Sequence, residues 1–221
     1  MARPVRFRFL KMGLPCLKRL RFKGLPMSSL SRLLWLIFPL VLAGISNMVW
    51  MKLPLCKGWQ VPMDQGQNWR DGRRILGDNK TWKGFVGMIG VSAFWLQVFE
   101  LLAKNFNWAA DLSLIPFKTW VLPLGWFYGA IWGLSYVLAE LPNSFIKRRL
   151  QIEAGKEGVG ILGGVFKFVD QSDSVLGCLI GLLVFYTPTW WDALAIFFLA
   201  TGFHFLTNLL LFMLGLKKQA G

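Results

Sequence analysis

Long apolar runs separated by two polar stretches dominate the sequence. Several runs approach or exceed the roughly 18 to 20 residues that a helix needs to cross the hydrocarbon core of a bilayer. Trp residues cluster near the ends of the runs, as in the aromatic belts of membrane proteins. We predict an all-α, polytopic integral membrane protein with about five transmembrane helices. The predicted spans are residues 33–51, 85–103, 119–139, 174–191 and 193–216.

The two polar stretches, residues 52–84 and 140–173, are predicted to be long loops, and they hold most of the 11 acidic residues. With five spans, both loops fall on one face of the membrane. Their Lys and Arg content places that face in the cytoplasm by the positive-inside tendency. We therefore expect a multi-pass protein of the cell membrane whose active loops face the cytoplasm.

Residues 1–32 form a basic N-terminal arm that five crossings would place on the opposite face. Either the arm lies on the inner leaflet and the first apolar run is re-entrant, or translation begins at Met27. We favour the start at Met27, because it leads directly into the first apolar run. Residues 33–218 are predicted to form a single membrane domain.

Composition supports the membrane assignment and constrains the partners. Hydrophobic residues make up 55% of the chain and charged residues only 16%, whereas a soluble domain is about a quarter charged. The formal net charge of +14 predicts attraction to anionic lipids, phosphates or nucleotides. We expect membrane lipids as partners and no nucleic acid. The three cysteines lie far apart and indicate neither a disulfide framework nor a redox motif.

Residues 71–84 contain a Gly and Asp turn that runs directly into the second span. In one interpretation Asp78 or Thr81 caps the helix that follows. In the other, the free amides at the helix start form a phosphate cradle, Lys80 and Lys83 supply positive charge, and Asp78 holds a metal.

The second polar stretch begins with Glu140, Ser144, Lys147 and Arg148, whose spacing places them on one face of a helix. Arg149 lies about 100° further round and should point elsewhere. Lys and Arg at this position also fit a charged collar at the cytoplasmic end of a helix. An acid, a hydroxyl and two bases on one face favour a functional site.

Asp170 and Asp173 lie three residues apart at the start of the predicted fourth span. They fit either a helix-capping pair or a magnesium site, and the second requires a phosphate ligand that shares the metal. His204, the only histidine, and Asn208 share a face of the fifth span. An interhelical hydrogen bond explains that pair as well as a catalytic role does.

Small residues recur at four-residue spacing in the predicted third and fourth spans, a pattern that lets neighbouring helices approach closely. We interpret them as packing positions. They are Gly125, Gly129, Gly133, Gly177 and Gly181.

Six motifs occur in an order that resembles the CDP-archaeol synthase family, which is related to bacterial CDP-diacylglycerol synthases. They cover residues 62–64, 71–84, 140–149, 169–173, 204–208 and 214–218. The resemblance implies a five-helix membrane cytidylyltransferase that uses CTP and magnesium to convert a lipid phosphate into a CDP-lipid and pyrophosphate. Glu140 stands where the bacterial relatives commonly have Asp. The lipid is left open between an isoprenoid ether and a diacylglycerol phosphate, because both present the same headgroup.

The resemblance also implies roles for individual residues. Magnesium would be held by Asp170 and Asp173, with Glu140 or Asp78. The catalytic set would be Lys80, Ser144, Lys147, Arg148, Asp170 and Asp173, and the substrate-binding set Asp64, Asp78, Asn79, Thr81 and Asn143.

Two other classes of protein compete with the enzyme. A small transporter or channel would line its path with Glu100, His204 and Asn208. A membrane anchor would recruit anionic partners through the basic arm. We favour the enzyme, with CTP and a lipid phosphate as partners, because the acidic residues cluster outside the predicted spans. The oligomeric state is left open.

Overall fold

The described residues form five long α-helices and one short one. The computed structural model describes residues 28–156, 158, 160–213 and 215. Most of the basic arm and the C-terminal lysines therefore lie outside the described residues. Apart from two isolated bridges, the described residues form no strand, so the all-α prediction is confirmed. The helices are α1 (Leu30–Lys52), α2 (Trp82–Asn105), α3 (Asn107–Leu112), α4 (Gly125–Arg149), α5 (Gly160–Leu182) and α6 (Trp190–Met213).

The five long helices surround a central space. Helix α4 packs between α2 and α5, α1 packs on α2, and α6 closes the bundle against α5 and α1. The connection between α1 and α2 (residues 53–81) and the connection between α4 and α5 (residues 150–159) lie at the same end of the bundle. We call this the loop end, and the opposite end the far end.

Glycines on α4 and α5 allow the closest helix contacts. A Cβ atom added at Gly129 would lie 2.6 Å from the Ala93 Cα atom of α2. A Cβ atom at Gly177 of α5 would lie 2.3 Å from the Ser135 carbonyl oxygen of α4. The predicted packing role of the small residues is therefore confirmed, and α4 is tightly held on two sides.

Three helices, α1, α2 and α6, are long and apolar enough to cross a membrane. Helices α4 and α5 have comparable lengths, 25 and 23 residues, but carry charged residues in their loop-end halves. The protein thus has the helices of a membrane protein, as predicted. The count of five spans stays a prediction.

The predicted bounds of the third and fourth spans were wrong. Helix α4 continues to Arg149 through Pro142, and α5 begins at Gly160, so most of the second predicted loop is helical. The reason is that hydropathy reports lipid contact, whereas the polar residues of these segments point inward. Asn143, Ser144 and Gln171 are all buried.

Two charged side chains that were assigned to function instead cap helices. Glu100, a candidate for lining a transport path, is fully buried and accepts a hydrogen bond of 2.6 Å from the Gly125 amide at the start of α4. Lys83, a candidate phosphate ligand, is also fully buried, and its Nζ atom donates to the carbonyl oxygens of Leu53 (2.7 Å) and Met51 (3.4 Å) at the end of α1. Both charges complement the dipole at the helix end they contact.

Candidate active site

A cavity of about 670 Å³ extends from the loop end into the bundle. Its deeper part is lined by aliphatic side chains, including Leu36, Ile37, Leu182 and Ile196. Its loop end is polar. Ten of the residues singled out in the sequence line that end: Asn79, Lys80, Thr81, Glu140, Asn143, Ser144, Lys147, Arg148, Asp170 and Asp173.

Asp170 and Asp173 on α5 converge on Asn143 of α4. The Asn143 Nδ2 atom donates to Asp170 Oδ1 and to Asp173 Oδ2, each at 2.7 Å. Both carboxylates lie in the interior of α5, so their interpretation as a capping pair was wrong. Their spacing of three residues places them on one helix face, which directs both toward the same point of α4.

Two lysines at the loop end are paired with carboxylates. Lys147 Nζ lies 2.6 Å from Asp170 Oδ2 and 2.9 Å from Asp170 Oδ1. Lys80 pairs with Glu140. Burial alone would lower the pKa of Lys80, but the charge and hydrogen bond of Glu140 outweigh burial and raise it, so this ammonium stays protonated at neutral pH.

Arg148 is a buried cation at the loop end. Its side chain lines the cavity, and its Nη1 atom donates to the Ile152 carbonyl oxygen. Its Nε atom has no hydrogen-bond partner among the described residues, and none of their carboxylates lies within ion-pair distance. A buried guanidinium in this state favours an anion, because its planar fork matches phosphate oxygens.

Asp64 is a buried residue of the α1–α2 connection, and it does not line the cavity. Its carboxylate accepts hydrogen bonds from Arg74 Nη2 (2.7 Å) and from the amides of Leu76 and Gly77 (2.9 Å each), and a weaker one of 3.2 Å from the Gly66 amide. Burial alone would raise the pKa of Asp64, but these donors together hold it well below the usual range. The geometry therefore gives Asp64 a role in holding the loop rather than the predicted contact with substrate.

Asp78 and Thr81 differ in position. Asp78 has an exposed side chain that pairs with Arg74 at 2.9 Å, and it does not line the cavity. The Thr81 Oγ1 atom accepts a hydrogen bond of 3.2 Å from the Gly84 amide and caps α2, as one of the two interpretations predicted.

Within the described part of the chain, no three His, Cys, Asp or Glu side chains form a group that could hold a metal. Asp78 therefore lies apart from Asp170 and Asp173, and magnesium binding by these two, with Glu140 or Asp78, stays a prediction.

Arg149 points away from the cavity, as its position on the helix predicted. It is nevertheless engaged, because its Nη1 atom lies 2.7 Å from Asp71 Oδ1 and its Nη2 atom donates to the Arg73 carbonyl oxygen at 3.2 Å. The guanidinium also stacks 4.7 Å from the centre of the Phe145 ring. Arg149 thus fastens the α1–α2 connection to the end of α4.

Four further polar residues line the cavity. Tyr136 and Gln171 were not identified from the sequence, and the roles of His204 and Asn208 were left open there. Tyr136 Oη lies 3.4 Å from His204 Nε2, and Asn208 Nδ2 donates to Gln171 Oε1 at 2.7 Å. Tyr136 precedes Glu140 by one helical turn, and Gln171 lies inside the motif of residues 169–173, so both signals were present in the sequence.

A helical membrane protein whose cavity joins buried cations and carboxylates to an aliphatic interior has the features of an enzyme acting on an amphiphilic phosphate. Comparison with known proteins agrees. The family model "CarS-like: CDP-archaeol synthase" matches residues 27–220. The CDP-archaeol synthase of Methanospirillum hungatei JF-1 is 35% identical over 169 residues, which are 73% of this chain and 90% of that protein. That of Thermofilum pendens is 33% identical over 187 residues, 84% of this chain and 78% of that protein.

The chain therefore belongs to the CDP-archaeol synthase family, as its motifs predicted. This is a family of CTP-dependent cytidylyltransferases, so the prediction of an enzyme is confirmed and the transporter alternative finds no support. A solved structure described as "Structural insight into an intramembrane enzyme for archaeal membrane lipids biosynthesis" has the same fold. It aligns with a TM-score of 0.56 at 24% identity, over 79% of this chain and 91% of that one.

Proposed function

We propose that this protein transfers the cytidylyl group of CTP to the phosphate of a glycerol lipid at the loop end of the cavity. One observation carries the proposal: a single cavity has buried cations and carboxylates at one end and aliphatic side chains at the other. This lining is complementary to a lipid with an anionic head. The relatives are named CDP-archaeol synthases, which favours an isoprenoid ether lipid as the acceptor.

The chemistry requires no activated side-chain nucleophile. An oxygen of the lipid phosphate attacks the α-phosphorus of CTP, and a new phosphorus–oxygen bond forms. The bond from that phosphorus to the bridging oxygen breaks, and pyrophosphate leaves with the electron pair. A phosphomonoester has a second pKa of about 6, so the nucleophile is already largely dianionic at neutral pH. Catalysis then depends on positioning the phosphates and neutralising their charge.

The cations of the loop end can meet both requirements. Arg148 has no carboxylate to release among the residues that the structure describes, and it is available to bind phosphate oxygens directly. Lys80 and Lys147 would exchange Glu140 and Asp170 for substrate oxygens as the nucleotide enters. Ser144 and Asn79, which line the same end, would supply neutral hydrogen bonds.

Charge balance supports a magnesium requirement. The carboxylates of Glu140, Asp170 and Asp173 already offset the three cations, and the triphosphate and lipid phosphate bring further negative charge. We assign magnesium to Asp170 and Asp173, which the Asn143 amide bridges through Nδ2. The Oδ1 atom of that amide is buried and has no hydrogen-bond partner among the described residues. Magnesium typically takes one or two carboxylates and completes its shell with phosphates and water, so the donor set fits. When bound, it would neutralise phosphate oxygens in the transition state.

Turnover is the test of the proposed function. Purified full-length protein in detergent would receive CTP, magnesium and either a diether or a diacyl glycerol phosphate, and the release of pyrophosphate and CDP-lipid would be measured. We expect product with CTP and none with ATP. The variant Lys147→Ala should lose most of the activity. The matched control Lys118→Ala removes an exposed charge at the far end and should retain it. No product with any lipid phosphate would contradict the proposal.

The orientation of the loops is a separate proposal, which the positive-inside tendency supports. Single cysteines placed at Gln67 and Gln151, both exposed, would be tested in a background without native cysteines. An impermeant reagent should label neither site in intact cells and both after lysis. Labelling of either site before lysis would place the loops outside.

A further inference from the structure

Four polar side chains lie where the charged loop end of the cavity meets its aliphatic interior. They are Tyr136 on α4, Gln171 on α5, and His204 and Asn208 on α6, and all four line the cavity. We call these four residues the middle layer. They take no part in the phosphate chemistry proposed above.

The depth of the middle layer follows from the helix register. Tyr136 lies four residues before Glu140 on α4, which places it about 6 Å further from the loop end. His204 contacts Tyr136, and its Nδ1 atom lies 3.2 Å from the Gln171 carbonyl oxygen. Gln171 lies between Asp170 and Asp173 along α5, and Asn208 lies one turn nearer the loop end than His204. Gln171 and Asn208 therefore border the carboxylates, and Tyr136 and His204 lie deeper. One turn beyond Tyr136 along α4, Trp132 belongs to the apolar core.

Within the middle layer, Gln171 carries an unpaired donor. Its side chain is 3% exposed, and its Oε1 atom accepts a hydrogen bond of 2.7 Å from Asn208 Nδ2. Its Nε2 atom is buried and has no hydrogen-bond partner within the described residues. A buried amide donor without an acceptor is unfavourable, so a ligand that supplies an oxygen at this point would be favoured.

The middle layer is suited to a neutral ligand group. None of its four members is a Lys, Arg, Asp or Glu. The His204 ring lies among neutral groups: its Nε2 atom is 3.4 Å from Tyr136 Oη, and its Nδ1 atom is 3.2 Å from the Gln171 carbonyl oxygen and 3.5 Å from Ser174 Oγ. An uncharged oxygen placed against this layer would need only the donor that Gln171 offers.

We propose that Gln171 donates a hydrogen bond to a neutral oxygen that links the glycerol of the lipid substrate to its chains, and that the middle layer thereby determines lipid specificity. This inference rests on the proposed function. A lipid whose phosphate lies at Arg148 and the carboxylates, and whose chains enter the aliphatic interior, must pass its linkage oxygens through this layer. These oxygens are a few covalent bonds from the phosphate, so their distance from it is about the length of one helical turn, about 5.4 Å.

The test compares three acceptors: a diether glycerol phosphate, a diester glycerol phosphate with matched chains, and a long alkyl phosphate that has no linkage oxygen. For Gln171→Met we expect kcat/KM to fall about tenfold with both glycerol lipids, as for the loss of one buried hydrogen bond. It should stay constant with the alkyl phosphate, and the KM for CTP should not change. The control is Thr201→Val on α6. The Thr201 Oγ1 atom is also buried and has no hydrogen-bond partner among the described residues, but Thr201 does not line the cavity, so this variant should behave as the wild type.

The outcomes separate the possible ligands. Equal losses with ether and ester lipids place the contact on the linking oxygen that both share and support the inference. A loss with the ester alone would place the contact on the carbonyl oxygen and overturns the assignment to the linking oxygen. An equal loss with the alkyl phosphate, or a raised KM for CTP, overturns it, and the second result would assign the donor to the cytosine base. If Gln171→Met does not fold, the double variant Gln171→Met/Asn208→Leu leaves no orphaned amide and carries the same expectation.

A failure of the proposed function would appear differently, as no CTP-dependent product from the wild type with any acceptor. Binding of the same three labelled lipids without CTP would then decide the inference. Wild-type protein should bind the glycerol lipids more tightly than Gln171→Met does. Equal affinities of the two proteins would overturn the inference.

Discussion

Replacing Asp64 with Asn should loosen the α1–α2 connection and lower activity without unfolding the helices. The carboxylate of Asp64 is fully buried and accepts hydrogen bonds from Arg74 and from the amides of Leu76 and Gly77. An Asn side chain retains one acceptor oxygen but turns an NH2 group toward one of these donors. Lys80 belongs to the same connection and would lose its fixed position at the cavity.

The magnitude follows from the burial of the two partners. Removing one partner of a buried ion pair costs about 3 to 5 kcal/mol. Arg74 is 31% exposed and Asn keeps one acceptor, so we expect the lower end, about 3 kcal/mol, or roughly a hundredfold in the local opening equilibrium.

Amide hydrogen exchange of the peptides that contain Gly66, Leu76 and Gly77 measures this opening directly. The matched control is Asp71→Asn in the same connection, because Asp71 forms a surface pair with Arg149 and has a side chain that is 36% exposed. Such a pair contributes about 0 to 1 kcal/mol, so the control should change protection less than about fivefold. Unchanged protection in Asp64→Asn together with lost activity would refute the structural role and favour a contact with substrate.

The same interaction predicts a dependence on pH. Because hydrogen bonding holds the pKa of Asp64 below the ordinary value of about 3.9, its contribution is present above that value and is lost as pH falls toward the lower, folded-state pKa. The difference in protection between wild type and Asp64→Asn should therefore be full at neutral pH and narrow below about pH 4. A difference that is independent of pH would contradict the role of the ionised carboxylate.

Three further predictions concern the site and the bundle. Asp173→Asn should lower the rate of pyrophosphate release on the order of a thousandfold, because the proposed magnesium would lose one of its two carboxylate ligands; near-wild-type rates would contradict the magnesium assignment. Arg148→Lys keeps the charge but loses the planar fork, so kcat/KM for CTP should fall at least about tenfold, whereas an effect no larger than that of Lys118→Ala would argue against phosphate binding. Gly129→Leu should destabilise the bundle by about 1 to 3 kcal/mol or more through overpacking against α2, measured as a lower Tm in detergent; an unchanged Tm would show that α4 can move away.

The helices were predictable where their outward faces are apolar. Helices α1, α2 and α6 begin and end within three residues of the predicted spans, because lipid-facing residues dominate them. The ends of α4 and α5 were not predictable in this way. Their loop-end halves turn Asn143, Ser144 and Gln171 inward, and hydropathy cannot distinguish a polar residue facing a cavity from one facing water.

The candidate site was predictable where the motif residues share a helix face. Glu140, Ser144, Lys147 and Arg148 reach the cavity together because the helix period fixes their direction. The roles of Asp64 and Lys83 depended on contacts between distant segments. Nothing near Lys83 in the sequence indicates that it lies against the Leu53 carbonyl oxygen, and a carboxylate that binds backbone amides looks the same in sequence as one that binds substrate.

The glycine contacts of α4 have a consequence for an enzyme housed in a fluid bilayer. When the thickness of the membrane changes, helices respond by tilting, and α1 and α6 at the margin of the bundle can follow the lipid. Helix α4 cannot slide independently, because Gly129 brings it against the α2 backbone and Gly177 brings the α5 backbone against it. Asn143, Asp170 and Asp173 therefore keep their spacing, and the distance between the reacting phosphates is insulated from the state of the surrounding lipid.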